Sequence, residues 1–328
     1  MAMSYTNRHW LNQIDRFCAE NYVRLRGERA GCLTTFLFHG LFRNLSESRN
    51  QVCDVQQGIT VKHFEDFINY FLSQGYVFVG QEDIRQGLNP FKKYALITFD
   101  DGYYNNVYAV DVLKKFRVPA VFFISVSHVL EQKSFWWDAI FRERSKEGVS
   151  RERITREQNL LKTKKNHEIE NYVIEHFGGK ALSPVSDVDR PLTADELKHL
   201  SRQPFVEIGN HTYDHAILTN YSAEEIKEEM LKAQTAIKDL TGISPAAISY
   251  PNGNSSPESI AAAKDLGFKI GITTVEGKNY LPMNPNSDAW FCLKRFTLWG
   301  NDRFLNECVR ARSDFQLKSS LRKIIGKS

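Results

Sequence analysis

The sequence predicts an α/β protein with a mainly parallel sheet, on three observations. Short apolar runs such as LITF at residues 96–99 show no alternation with polar residues, which is typical of strands buried on both faces. Amphipathic helical patterns separate these runs, and strands that alternate with helices imply βαβ units. Polar residues directly follow two of the predicted strands, at the end where α/β proteins bind their ligands.

The first half of the chain contains four predicted strands. The first is CLTTFLFHG at residues 32–40, preceded by a segment in which Trp10, Ile14 and Phe17 fall at helical spacing. A helix follows that ends at Gly75, and its apolar face consists of Phe64, Phe67, Ile68, Phe71 and Leu72. The strands YVFVG, YALITF and PAVFFIS come next, with the helix NVYAVDVLKKF before the last of them.

The second half of the chain repeats the pattern. FVEIG predicts a strand, and the helix after it has a capping box from Ser222 to Glu225 and ends at Gly242. AAISY predicts the next strand, and a helix follows with Ser256 as its N-cap and Pro257 in its first turn. FKIGITT then closes the series.

A polar segment interrupts the alternation between about residues 131 and 190. Its pattern indicates helices without strands, so we expect a helical insertion into one α/β barrel domain that spans residues 31–300. An N-terminal helical extension at residues 1–30 precedes that domain. A basic tail at residues 301–328 follows it.

Composition and charge limit the class of protein. Hydrophobic residues make up 42% and charged residues 25% of the chain, as in ordinary soluble globular proteins. The net charge of +4 is too small to indicate nucleic-acid binding. The five cysteines include no CxxC pair, which disfavours a disulfide framework or a cysteine zinc site.

Both ends of the chain bear on where the protein acts. The first 22 residues contain no continuous apolar run like that of a signal peptide, so a cytoplasmic location is expected. Residues 309–328 contain six lysines or arginines and one aspartate. Such a tail could contact an anionic membrane surface, which would make the protein peripheral to the inner membrane, or it could form a solvated helix.

Two adjacent carboxylates, Asp100 and Asp101, stand where the strand LITF meets solvent. Asp101 and Gly102 together are a strong turn signal, because Asp bonds its own backbone and Gly accepts a positive φ. Successive side chains of a strand point to opposite faces, so the two carboxylates could instead serve two chemical roles. The pair alone does not decide between a turn and a site.

Two histidines, His211 and His215, follow the strand FVEIG. On a helical turn this spacing places both imidazoles on one side, where they could hold one metal ion; otherwise one is a cap or core donor and the other a surface residue. Strand ends in one α/β fold meet at the same rim, so the Asp pair and the His pair can approach each other. One Asp with two His gives three ligands and open positions, as in catalytic metal sites, and leaves the other Asp free to act as a base.

These motifs resemble those of the polysaccharide deacetylases, also called the NodB-homology family or carbohydrate esterase family 4. TFDDG at residues 98–102 and HTYDH at residues 211–215 match the first two motifs of that family, and SYPNG at residues 249–253 is similar to the third. FWWDAI in the insertion is similar to members that act in surface-polysaccharide biosynthesis. The resemblance spans roughly residues 33–297 and implies a distorted (β/α) barrel of about seven parallel strands.

The resemblance also implies roles for individual residues. Asp101, His211 and His215 would bind a divalent metal, usually zinc, and Asp100 would be the general base. Such an ion lowers the pKa of bound water and polarises the acetyl carbonyl, while the base takes a proton from the attacking water. The metal and a backbone N–H, that of Tyr213, would hold the oxyanion.

Two departures from the family pattern lead to further assignments. No histidine follows His215, so the late histidine that protonates the leaving amine is absent. His39 stands where a subset of the family that acts on poly-N-acetylglucosamine places this acid, although a core histidine is the alternative. Ser249 occupies the place of the arginine that orients the base, and Arg295 could supply that guanidinium or be a surface residue.

Four more residues are assigned to substrate contact. Tyr250 and Pro251 come from the third motif and would line the site, with a structural role as the alternative. Trp136 and Trp137 open the insertion and could form an aromatic wall for a sugar or anchor the insertion in the core.

The sequence therefore predicts a metal-dependent hydrolase that removes acetyl groups from N-acetylated sugars and releases acetate. Its substrate would be an acetylated saccharide in surface-polysaccharide biosynthesis, either the polysaccharide or its lipid-linked or nucleotide-linked precursor. Two alternatives stay open. One is an inactive carbohydrate-binding protein on the same fold, and the other is a non-haem iron oxygenase, which shares the set of two histidines and one carboxylate.

Overall fold

The computed structural model describes residues 5–49 and 51–315. The strands in these residues are β1 (Cys32–Phe38), β2 (Tyr76–Phe78), β3 (Lys93–Phe99), β4 (Ala120–Ile124), β5 (Val206–Asn210), β6 (Ala247–Ser249), β7 (Ile270–Ile272), β8 (Asn279–Tyr280) and β9 (Arg295–Thr297). The α-helices are α1 (Tyr5–Arg26), α2 (Val61–Ser73), α3 (Gln81–Gln86), α4 (Ala109–Phe116), α5 (Val126–Glu131), α6 (Trp136–Lys146), α7 (Arg151–Leu161), α8 (Asn166–Phe177), α9 (Ala194–Leu200), α10 (Ala223–Thr241), α11 (Pro257–Asp265) and α12 (Phe304–Arg312).

Seven parallel strands form a nearly closed barrel in the order β9-β1-β3-β4-β5-β6-β7. A parallel bridge between Ile272 and Leu293 links β7 to the segment that precedes β9 and so narrows the remaining gap. The short strand β2 pairs with the start of β3, and β8 pairs antiparallel with the start of β1. The predicted distorted (β/α) barrel is therefore confirmed.

The seven strands predicted from the sequence all occur, but they are not the seven strands of the barrel. β2 lies outside the barrel, beside β3. The barrel is completed instead by β9, which pairs with β1 over only three residues. The sequence RFT of β9 is too short to show an apolar run, which explains why it was not predicted.

The core fills both sides of the strands, as continuous apolar runs require. Phe99 stacks on Phe38 at 5.4 Å and on Phe122 at 4.7 Å between ring centroids, which links three neighbouring strands. Helix α2 covers them with Phe64, Phe67, Ile68 and Phe71, whereas the predicted fifth member, Leu72, is exposed. Burial of each of these phenylalanines contributes about 1.5–3 kcal/mol.

The predicted caps of two later helices are also confirmed. The Ser222 hydroxyl accepts a hydrogen bond from the Glu225 N–H to begin α10, and Gly242 ends that helix in the left-handed region at φ 78°. Ser256 caps α11, with Pro257 in its first turn.

The two ends of the described chain pack together. α1 buries Ala19 and Val23, but Phe17, predicted to lie on the apolar face, is 69% exposed, and the side chain of Trp10 lies outside the described part. Within the predicted tail, α12 packs on α1 and α2 through its buried residues Phe304, Cys308 and Ala311. Residues 316–328 lie outside the described residues, so the membrane contact and the cellular location remain predictions. Among the described helices, none has the length and apolar character needed to cross a membrane.

The helical insertion lies between β4 and β5 and contains α6, α7 and α8. Its own apolar cluster includes Phe135, Trp136 and Trp137, which pack against Tyr103 of the barrel. A buried ion pair between Arg142 and Asp189, with 2.8 Å between Nη1 and Oδ2, ties α6 to the segment that leads back to the barrel. The insertion is thus fixed beside the carboxyl ends of the strands.

Candidate active site

The chain makes a tight turn immediately after β3. The Gly102 N–H donates a hydrogen bond to the Asp100 carbonyl over 3.0 Å, which closes a γ-turn around Asp101. Asp101 has φ 77°, an uncommon conformation for a residue with a side chain and one that is found at functional sites. The turn separates the two neighbouring carboxylates, so that each meets different partners.

The two histidines follow β5 on an irregular loop. The predicted helical turn is wrong, because residues 211–217 are not helical, and Thr212 and His215 have φ 63° and 51°. Asn210 accepts the Thr212 N–H over 2.8 Å, and the carboxylate of Glu229 accepts the N–H groups of residues 213 and 214 over 3.1 Å each. These contacts bring the two imidazole rings to 4.9 Å between centroids.

Asp101, His211 and His215 converge in a buried cluster. Asp101 is 1% exposed, and its Oδ1 lies 3.3 Å from Nε2 of each histidine. Burial alone would raise the pKa of the Asp101 carboxyl, but the two histidines outweigh burial and hold this pKa well below its usual range. Burial lowers the pKa of His215, whereas Asp100 and Asp101 outweigh burial at His211 and raise its pKa.

Two features of this cluster fit a divalent metal ion. Nδ1 of His211 lies 2.7 Å from the Ser249 carbonyl, which can only accept, so Nδ1 carries the proton and Nε2 of the neutral ring keeps its lone pair toward Asp101. Neither carboxylate oxygen of Asp101 accepts a hydrogen bond from a described residue. A buried carboxylate that accepts no hydrogen bond, with the Nε2 atoms of two imidazoles 3.3 Å away, is a set of ligands for a cation.

Asp100 has different partners. Its two oxygens accept hydrogen bonds from Nη1 and Nη2 of Arg295 over 2.8 and 2.7 Å, and Ser249 Oγ donates to Oδ2 over 3.0 Å. Arg295 is itself buried on β9 and also donates to Thr98 and to the Thr273 carbonyl. Burial would raise the pKa of Asp100, but Arg295 outweighs it and lowers that pKa, so the carboxylate is ionised at neutral pH. The structure therefore places Arg295 against the predicted base.

His39 follows β1 and borders the same cavity. Gln57 donates its amide N–H groups to the carbonyls of Leu37 and Leu298 over 2.7 and 3.0 Å, so its Oε1 must be the acceptor that faces His39. That oxygen accepts the His39 N–H over 2.9 Å and lies 3.0 Å from its Nδ1. Nδ1 therefore carries a proton, and Nε2 is the ring nitrogen that can gain or lose a proton.

A cavity of about 480 Å³ joins these groups. Its floor consists of Asp100, Asp101, His211 and His215. Its polar wall, contributed by α7 and the residue after it, consists of Arg151, Thr155, Gln158, Asn159 and Lys162. Trp299, which is 45% exposed, borders the cavity after β9.

The aromatic residues of the insertion serve mainly as anchors. Trp136 and Trp137 border the cavity but are only 4% and 8% exposed. Trp137 packs on the His215 ring at 4.6 Å between centroids and donates its indole N–H to Tyr103. These two residues therefore do not form an open aromatic wall for a sugar.

Three residues predicted to contact substrate are placed elsewhere. Tyr250 and Pro251 are buried and do not border the cavity. Tyr250 packs in the core instead, because Gly271 leaves room for its hydroxyl. The Tyr213 N–H already donates to Glu229, so it is not free for an oxyanion.

Several residues of the site were not predicted, among them the five of the polar wall. Gln57 and Trp299 lie in loops without periodic pattern, and neither belongs to a motif. Asn252 belongs to the third motif, two residues after Tyr250, and borders the cavity with φ 57°. An Asn-Gly pair signals such a turn, and this signal was available in the sequence.

Comparison with known proteins connects this site to a family. Residues 88–271 match the sequence model of the family described as polysaccharide deacetylase. The chain is 24% identical over 224 residues to YxkH of Bacillus subtilis (strain 168), a protein named as a polysaccharide deacetylase. That alignment covers 66% of this chain and 58% of YxkH, so the chain spans little more than half of this relative's length.

Two solved structures share the fold. IcaB from Ammonifex degensii superposes with a TM-score of 0.56 at 16% identity, covering 87% of this chain and 99% of IcaB. The Streptococcus pyogenes deacetylase PplD, solved in complex with acetate, gives a TM-score of 0.55 at 17% identity and covers 83% and 94% of the two chains. Similarity at these identities concerns the fold, whereas the match to the family extends over more than half of the residues. On that match, the chain belongs to the polysaccharide deacetylase family.

Proposed function

We propose that the protein is a metal-dependent deacetylase that hydrolyses the acetamide of N-acetylated sugars and releases acetate. The observation that carries this proposal is the floor of the cavity, where a buried set of metal ligands adjoins a separate carboxylate held by Arg295. Membership of the polysaccharide deacetylase family supports it. The substrate is an acetylated saccharide, either a surface polysaccharide or its lipid-linked or nucleotide-linked precursor.

Asp101, His211 and His215 hold the metal in this proposal. One carboxylate with two imidazoles suits zinc and leaves positions open for water and substrate. When bound, the ion would lower the pKa of a bound water molecule and polarise the acetyl carbonyl. The Ser249 carbonyl fixes His211 in the tautomer that can bind the ion.

Asp100 is the general base. Arg295 and Ser249 donate three hydrogen bonds to its carboxylate, which keep it ionised and hold it in one orientation. A carboxylate accepts more hydrogen bonds than these three, so it can also accept the proton of an attacking water. As the water oxygen bonds to the acetyl carbon, Asp100 takes that proton.

His39 is the general acid in place of the late histidine that this chain lacks. Gln57 holds Nδ1 as a donor, so only Nε2 can deliver a proton to the nitrogen of the leaving amine. Cleavage of the carbon–nitrogen bond then leaves the sugar amine and acetate. Because Gln57 is neutral, it orients the imidazole without adding a charge beside it.

Asn252 replaces Tyr213 as the oxyanion donor. It lies in the first turn of a short 3-10 helix, Pro251–Gly253, and its N–H donates to no described residue. Since Asn252 also borders the cavity, a free N–H at this position can bind an oxyanion that develops from the acetyl carbonyl.

The test is acetate release from N-acetylglucosamine oligomers by purified protein, with zinc added or chelated. Asp100→Asn should lower kcat by about 10²- to 10⁴-fold and leave the metal content unchanged, and His39→Ala should lower kcat less. Chelation should stop the wild-type reaction. Protein that binds one metal per chain but releases no acetate from a broad panel of acetylated saccharides would favour the carbohydrate-binding alternative.

A further inference from the structure

We infer that the polar wall binds an anionic group, a phosphate or a carboxylate, that the acetylated saccharide carries, with Lys162 as its cationic partner. This inference rests on the proposed function, because it concerns the substrate of the same cavity. It narrows the substrate from any acetylated sugar to an acidic one.

One face of α7 presents polar side chains to the cavity. The residues that border the cavity stand at positions 151, 155, 158, 159 and 162, one helical turn apart except for the adjacent pair 158 and 159, so they form one stripe on α7 and its C-cap. All five carry polar side chains, whereas Ile154 and Leu161 on another face are buried in the insertion. The hydroxyl of Thr155 and the amide of Asn159 make no hydrogen bond to a described residue, so both are available to a ligand.

The carboxylates and cations that border the cavity are not all paired with one another. Asp54 is paired with Arg151 and accepts a hydrogen bond from Gln158 over 2.8 Å. Asp100 is paired with Arg295, and Asp101 faces the two histidines. Of the three described carboxylates that border the cavity, Asp54 and Asp100 thus have a cationic partner in the protein, and Asp101 is assigned to the metal.

Among the described cations that line the cavity, Lys162 is the one without a carboxylate partner. Its ammonium group makes no hydrogen bond or ion pair with a described residue, although the residue is only partly exposed. Burial lowers the pKa of Lys162, with Asp54 opposing the shift from beyond ion-pair distance. A partly desolvated ammonium without a protein counter-ion favours a ligand that supplies the negative charge.

The experiment compares kcat/KM for acetate release from one neutral and two kinds of acidic substrate. The neutral substrate is an N-acetylglucosamine oligomer. The acidic ones are N-acetylglucosamine 1-phosphate or UDP-N-acetylglucosamine for phosphate, and oligosaccharides that alternate N-acetylglucosamine with glucuronate for carboxylate. The variants are Lys162→Gln and its matched control Lys164→Gln, which removes the same charge outside the cavity.

The wild type should prefer at least one acidic class over the neutral oligomer, and the preferred class identifies the group as phosphate or carboxylate. Lys162→Gln should lower the acidic-to-neutral ratio of kcat/KM by about tenfold or more, as expected for a lost charge-assisted contact. Lys164→Gln should keep the wild-type ratio. The inference is overturned if the wild type shows no acidic preference or if the Lys162 variant retains it.

A binding measurement separates this inference from the proposed function. If no substrate releases acetate, the proposed function fails, but calorimetric titration with the same saccharides still tests the wall. Tighter binding of an acidic saccharide than of the neutral oligomer, lost in Lys162→Gln and kept in Lys164→Gln, supports the inference. The inference is refuted if the wild type binds the acidic and the neutral saccharide equally tightly. It is also refuted if Lys162→Gln and Lys164→Gln bind the acidic saccharide equally tightly.

Discussion

The floor and the polar wall of the cavity differ in how firmly the fold holds them. The floor residues stand directly after β3 and within the loop after β5, and Asp100, Asp101 and His211 are almost fully buried. The polar wall lies on α7 in the insertion, and three of its members, Arg151, Thr155 and Asn159, are exposed. Strand ends therefore hold the floor in buried positions, whereas the insertion presents exposed polar groups to the cavity.

Removing a metal ligand from the floor should have the largest effect. Asp101→Asn replaces a charged ligand with a neutral one of nearly the same shape. Substitution of residues that only hydrogen-bond to metal ligands lowers metal affinity roughly 10- to 100-fold, and loss of a ligand charge should lower it further. Elemental analysis after dialysis should find wild-type protein with one ion per chain and the variant with almost none. The matched control is the exposed Asp195→Asn, which should retain the metal. Equal metal content in both variants would contradict the assignment of Asp101.

Glu229, which supports the loop after β5, should make stability depend on pH. Burial raises its pKa from 4.5 to about 7, so the folded state holds a proton that the unfolded state has lost in this range. The contribution of Glu229 to the free energy of unfolding is therefore fully present below about pH 4.5. This contribution falls by roughly 3 kcal/mol as the pH rises through 7. Urea unfolding at pH 5 and pH 8 should show this loss in the wild type and a smaller loss in Glu229→Gln. An equal loss in both proteins would mean that the loop does not depend on this carboxylate.

Gln57→Glu should change the pH dependence of the reaction rather than the metal site. A carboxylate beside the His39 imidazole favours its protonated form, so the basic limb of the pH–activity profile should move upward by about one unit. The exposed Gln86→Glu adds the same charge at the surface and should leave the profile in place. An unmoved profile in Gln57→Glu would exclude His39 as the proton donor.

Trp299→Ala should have the smallest effect, because this residue lies at the rim and not on the floor. Loss of an aromatic surface beside a sugar costs about 0.5–1.5 kcal/mol, so KM should rise roughly 2- to 10-fold with kcat nearly unchanged. Phe91→Ala removes another exposed aromatic ring away from the cavity and serves as control. A fall in kcat without a change in KM would place Trp299 with the reacting groups instead.

Sequence patterns predicted the barrel because its strands are buried on both faces and therefore read as apolar runs. The same local logic predicted the cap of α10 at Ser222. The convergence of Asp101 with His211 and His215 followed from a rule of topology, that parallel strand ends share one rim. β9 escaped prediction because three residues, one of them the buried Arg295, show no period.

The remaining site features depend on tertiary contacts that no local pattern encodes. The loop after β5 is irregular because Glu229, on α10, binds its N–H groups, although its histidine spacing suits a helix. Gln57 reaches His39 only because the loop between β1 and α2 folds back over the barrel mouth. Tyr250 and Asn252 both belong to the third motif, so the motif alone could not show which of them borders the cavity. In the structure Tyr250 lies in the core and Asn252 borders the cavity.

Metal-dependent deacetylation is tested best by the rate of acetate release as a function of bound metal. Metal-free protein would be titrated with zinc, and acetate from neutral and acidic N-acetylated saccharides would be measured at each occupancy. The rate should rise in proportion to occupancy and level off at one ion per chain in the wild type, and Asp100→Asn should bind the ion but remain almost inactive. Full activity in metal-free protein, or an unchanged rate in Asp100→Asn, would contradict the proposed function.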